Sequence, residues 1–166
     1  MVKRALLTAI LMTAPISVLV ATQVAAPATA AEQEPSAAAI RFVVGFSDEH
    51  LADLLGNVAG RSEIVAELYQ RHGDAVADAF NTAIGSAVLK HRAAWQHNLS
   101  LAWTPLLTDD ELNSLTLSGE NSPHLDKYLS LRTTAGETMQ QLSSALLDQA
   151  LAEVIQQIVA EFPTTE

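Results

Sequence analysis

Leu107–Glu137, "LTDDELNSLTLSGENSPHLDKYLSLRTTAGE", decides the fold, because three helix-start signals follow one another within it. Thr108-Asp109-Asp110-Glu111 predicts a capping box, in which the Thr108 hydroxyl accepts from the Glu111 backbone and the Glu111 carboxylate reaches back. Leu107 and Leu112 stand at the spacing of a hydrophobic staple. This helix can run only to about Gly119. Ser122-Pro123 then reads as a cap followed by a first helical residue, where proline lacks only a donor that has no use there. A basic end at Arg132 and a second capping box at Thr134 and Glu137 predict a break and a final helix to about Phe162. Leu147, Leu151, Val154, Ile158 and Phe162 are expected on its inner side. The stretch predicts a zigzag of two short helices leading into a long one.

The chain before it reads the same way. "AAAIRFVVG" (37–45) predicts a first short helix stopped at Gly45. Ser47 is placed to cap a second, with Asp48 and Glu49 in its positive first turn and a Phe46–Leu51 staple. That helix is expected to fray near Gly56 or Gly60. A third starts at Ser62, carries Ile64, Val65, Leu68 and Tyr69, and ends at Arg71-His72-Gly73. Asp74 restarts a long helix, Ala75 to Trp103, ended by Pro105. Its core stripe is Val76, Phe80, Ile84 and Val88, continued by Trp95, Leu99 and Trp103. Gly85 inside it suggests a close helix crossing. With β-branched alternation nearly absent, the fold class is all-α: a compact bundle of six or seven helices.

The N-terminal residues read as a secretory signal rather than as part of that bundle. Lys3 and Arg4 precede an apolar segment from Ala5 to Ala21, and Ala28-Thr29-Ala30 and Thr29-Ala30-Ala31 offer the small residues a signal peptidase reads. Cleavage is expected after Ala30 or Ala31. A membrane anchor is the weaker reading, since a span needs about 20 strongly apolar residues and Pro15 interrupts this one. Residues 1–31 are then a cleaved signal and residues 32–166 a single helical domain, periplasmic or secreted. The chain has no cysteine, so packing alone must hold it in an oxidising compartment and thiolate metal sites are excluded. Losing Lys3 and Arg4 from nine Lys/Arg leaves seven against 19 Asp/Glu, a net charge of −12. Such a surface repels phosphate backbones and anionic lipid head groups, which excludes nucleic acid as a partner.

Chemistry-bearing patterns are few. The histidines form neither His-x-x-x-His nor His-Glu-x-x-His, and the His50/Asp53 and Glu49/Asp53 pairs offer too few ligands, so no metal site is expected. Asp109, Asp110 and Glu111 stand in an exposed first turn, where carboxylates stay hydrated and ionised rather than poised as acids. There is no Gly-x-Ser-x-Gly elbow, phosphate-binding loop or dinucleotide-binding turn, so no catalytic residue and no cofactor is expected. Lys90-His91-Arg92 reads as a solvated helix face, and Asn98-Leu99-Ser100 as a chance glycosylation match. Trp95 and Trp103, with Phe80 on the same stripe, are the candidate lining of an apolar ligand pocket, with core packing the plainer role.

Asp110-Glu111-Leu112 with Leu115, then Ser122-Pro123 and Lys127, resemble the motif of the secreted bacterial family called domain of unknown function 2059. In that family an acidic helix precedes an aromatic pair, Ser-Pro-x-Gly and a basic residue. Gly119-Glu120 and Leu125 stand here in place of the aromatic pair and the glycine. The resemblance spans about residues 80–146 and implies an exported all-helical domain, with no catalytic residue to carry over. The function expected is a non-enzymatic envelope module binding a protein partner or a small apolar ligand. A carboxylate-based hydrolase assembled from distant helices and a self-associating structural module are the alternatives.

Overall fold

The computed structural model describes residues 34–163; the expected signal, residues 1–31, lies outside them. Six α-helices follow in order: α1 (Ala37–Val44), α2 (Ser47–Ala59), α3 (Glu63–His72), α4 (Asp74–Trp103), α5 (Asp109–Ser118) and α6 (Leu125–Glu161). One 3-10 turn, Gly119–Asn121, separates the last two, and no strand occurs among the described residues.

Two long helices are the frame. At about 1.5 Å per residue, the 30 residues of α4 and the 37 of α6 extend roughly 45 and 55 Å. They run antiparallel: Lys90 and His91 bond to Glu153, whereas Asn98, further along α4, donates to Ser143 Oγ and the Leu142 carbonyl. Around this pair, α2 packs on both long helices, α1 on α4 and α5, and α3 on α4. The inner face of α4 is narrow because Ala79, Ala83 and Ala87 are buried there, while Phe80 and Ile84 of the expected stripe flank the core half-buried.

The Thr108–Glu111 capping box forms as expected, with Glu111 N–H donating to Thr108 Oγ1 at 3.4 Å and Thr108 N–H to Glu111 Oε2 at 2.9 Å. Gly73 and Gly119 end α3 and α5 at φ of +57° and +53°, backbone that residues with a Cβ rarely adopt. These two glycines turn the chain where the spacing predicts stops.

Four local expectations are corrected. Thr134 does not start a helix: it sits exposed inside α6, and its carbonyl accepts from Thr138 Oγ1. The second short helix and the long one are therefore a single element. The reason is a buried or half-buried stripe, apolar but for Ser143, that crosses the supposed break through Tyr128, Leu131, Ala135, Met139, Ser143, Leu147, Ala150, Val154 and Ile158. Burying that stripe outweighs a local cap signal.

Ser122 Oγ accepts from His124 N–H, but it makes a turn, and α6 begins only at Leu125. Ser47 does not cap α2 either. It is the first helical residue, fully buried, and its hydroxyl accepts from Gln96 Nε2 of α4 at 2.9 Å. The close approach expected at Gly85 is absent, since a Cβ there would meet nothing within 4 Å. Gly56 of α2 is the tight contact instead, its added Cβ falling 3.4 Å from the Ile84 side chain.

Candidate functional site

The three aromatic residues expected to line a ligand pocket occupy different parts of α4. Trp95 is 1% exposed, its ring edge-on to His50 of α2 with centroids 5.6 Å apart. Trp103, two turns on, stacks on Tyr128 of α6 at 4.8 Å. Phe42 of α1 stands edge-on to both rings, at 6.1 and 5.7 Å, and Phe46 is packed edge-on against Phe42 at 5.3 Å. Trp103 is thus part of an aromatic joint between α1, α4 and α6, with Phe42 touching each of the other rings. Phe80 lies at the other end of α4, beside Gly60. The structure does not gather Phe80 with the two tryptophans.

Tyr128, Phe42 and Phe46 complete the joint, and nothing in their local sequence announces it. Phe42 and Phe46 are neighbours at the α1–α2 junction, but Tyr128 comes from α6, far along the chain. The one usable signal is the position of Tyr128 on the stripe that runs on through Ala135.

A shallow groove of about 260 Å³ opens between α4 and α6, lined by Ala83, Ser86, Ala87, Lys90, Glu153 and Gln157. Its polar end is built around Glu153, which accepts from Lys90 Nζ at 2.6 Å and Gln149 Nε2 at 2.9 Å and bonds His91 Nε2 at 2.9 Å. The Lys90, His91 and Gln149 bonds hold the Glu153 carboxyl down to about 2. His91 is buried, so Lys90-His91-Arg92 is more than a solvated face. Lys90 and His91 tie α4 to α6, and Arg92 ties it to α2 by an ion pair with Asp48 at 2.6 Å.

Glu111 is set in the same manner. Lys127 Nζ donates to both of its oxygens at 2.8 Å, and with the Thr108 backbone N–H it holds the carboxyl down to about 2. This bond joins the start of α5 to the start of α6. Both carboxylates are fixed anions that clamp helices, the reverse of the raised pKa that a general acid requires. The His50/Asp53 and Glu49/Asp53 pairs gain no further ligand, as no group of three or more potential metal-binding side chains occurs among the described residues.

No helix among the described residues is long and apolar enough to cross a membrane. No protein-family model, curated protein or solved structure matches the chain.

Proposed function

We propose that the chain is an exported helical module of the cell envelope, periplasmic or secreted, that binds a protein partner and performs no chemistry of its own. The likeness to the domain of unknown function 2059 family is part of the same proposal. The observation that carries the reading is the state of Glu111 and Glu153. The two carboxyls most strongly shaped by their surroundings among the described residues are held ionised as helix clamps, which supports binding over a carboxylate-based hydrolase. A surface partner is favoured over an apolar small molecule because Trp95 and Trp103 are spent on packing. Leu117 and Leu89, 86% and 67% exposed, are the most exposed large aliphatic side chains among the described residues and so the positions at which to look for such a partner.

The test places a photo-crosslinking residue at Leu117, at Leu89 and, as control, at the exposed polar Gln141 in cells that make the full chain. A discrete adduct at the leucines and none at Gln141 supports the reading. Absence of any adduct removes it. The mass of the recovered protein tests export: a chain starting at Ala31 or Glu32 supports it, and an intact Met1 terminus in the cytosol ends it.

A further inference from the structure

Where α2 meets α4, two buried polar atoms have no protein partner. Trp95 Nε1 and His50 Nδ1 are both closed off from solvent, and neither reaches a hydrogen-bond partner among the described residues. Elsewhere the buried polar groups of this junction are satisfied: Ser47 accepts from Gln96, and Ser100 donates to the Gln96 carbonyl. A buried polar group left unpaired is unfavourable enough that native interiors fill such gaps with ordered water.

The chemistry of the two rings specifies the bridge. An indole N–H can only donate, whereas a neutral imidazole presents one donor and one acceptor nitrogen. Two hydrogen bonds of about 2.9 Å meeting at a tetrahedral oxygen span about 4.7 Å between nitrogens. The two rings are neighbours across this junction, edge-on with centroids 5.6 Å apart. We infer that Trp95 and His50 hold one internal water between α2 and α4, which accepts from Trp95 Nε1–H and donates to His50 Nδ1.

The bridge is pH-sensitive by construction. It requires neutral His50 with its proton on Nε2, because protonating Nδ1 replaces the acceptor with a second donor. The new charge would face Arg132 of α6, with Asp53 of its own helix as the nearby carboxylate; Trp95 is its contact from α4. The Asp48–Arg92 pair across the same two helices is already closed on itself. Burial lowers the His50 pKa below 6.5, Asp53 opposes it and Arg132 adds to it. The folded chain therefore takes up this proton later than the unfolded chain. Stability is lost as pH falls through 6.5, and above that value the bridge is intact.

Heteronuclear NMR on the 15N-labelled full chain tests this, with Trp103→Phe assigning the two indole signals. At pH 8 the Trp95 indole proton should show a cross-peak to water with the sign of a dipolar contact rather than of exchange. Its chemical shift should titrate with one midpoint below pH 6.5, and His50→Gln should abolish that titration. A scalar coupling directly between Trp95 Nε1 and His50 Nδ1 with no water cross-peak would overturn the inference, since the rings would then bond directly. An indole shift flat from pH 8 to pH 5 would overturn it as well. The wild-type water cross-peak decides the matter even should His50→Gln fail to fold, and its absence would overturn the inference.

Discussion

Thr108 and Thr134 open two motifs that look alike in sequence, Thr-x-x-Glu, and the structure gives them opposite energetic roles. Thr108→Ala deletes the hydroxyl that receives Glu111 N–H at 3.4 Å, while the return bond from Thr108 N–H to Glu111 survives. One cap bond is lost, which is worth about 1 kcal/mol. Thr134→Ala removes a β-branched side chain from an exposed interior position of α6, where no cap exists. Alanine is the better helix former there by about 0.5 kcal/mol, so this change should stabilise. Urea unfolding followed by helical circular dichroism separates the two. With a slope of about 1.5 kcal/mol/M, Thr108→Ala should lower the midpoint by about 0.7 M and Thr134→Ala should raise it by about 0.3 M. Equal losses from both substitutions would refute the continuous α6 and restore a helix boundary at Thr134. A neutral Thr108→Ala would instead show that the cap bond contributes nothing.

Gly85 and Gly136 lie inside α4 and α6 with nothing within 4 Å of an added Cβ, so Gly85→Ala and Gly136→Ala should each stabilise by about 1 kcal/mol; a lower melting temperature for either would contradict the open space around it. Leu112 is fully buried at the α5 end of the core, and Leu112→Ala should cost roughly 2–5 kcal/mol in the same urea assay. Because Glu111 and Glu153 are held near 2 against an ordinary 4.5, their stabilising contribution is present above pH 4.5 and lost as pH falls toward 2. Glu111→Gln with Glu153→Gln should flatten stability between those pH values, measured by thermal unfolding across the range.

Sequence and structure agree at some local signals and part at others, such as the Thr134 and Ser47 caps. The capping box at Thr108 needs only residues three apart, and the stops at Gly73 and Gly119 need only a backbone that glycine alone adopts freely. The span of α4 follows from Asp74 at one end and Pro105 just past the other. By the same logic Trp95 and Trp103 were legible as apolar positions on one helix. Their partners were not: His50, Phe42 and Tyr128 reach them only through helix packing.

By itself, then, the sequence determined the all-helical class, the long central helix and most of its punctuation, because hydrogen-bonded turns and glycine backbone are decided within a few residues. Tertiary structure alone decided whether α6 continues past Arg132, since a weak cap at Thr134 competes there with a stripe buried against α2 and α4. It also decided that Ser47 serves Gln96 rather than its own helix end, and that Lys90 and His91 converge on Glu153. Those outcomes depend on side chains brought from 49 to 63 positions away. Packing register sets such meetings, and no local pattern encodes it.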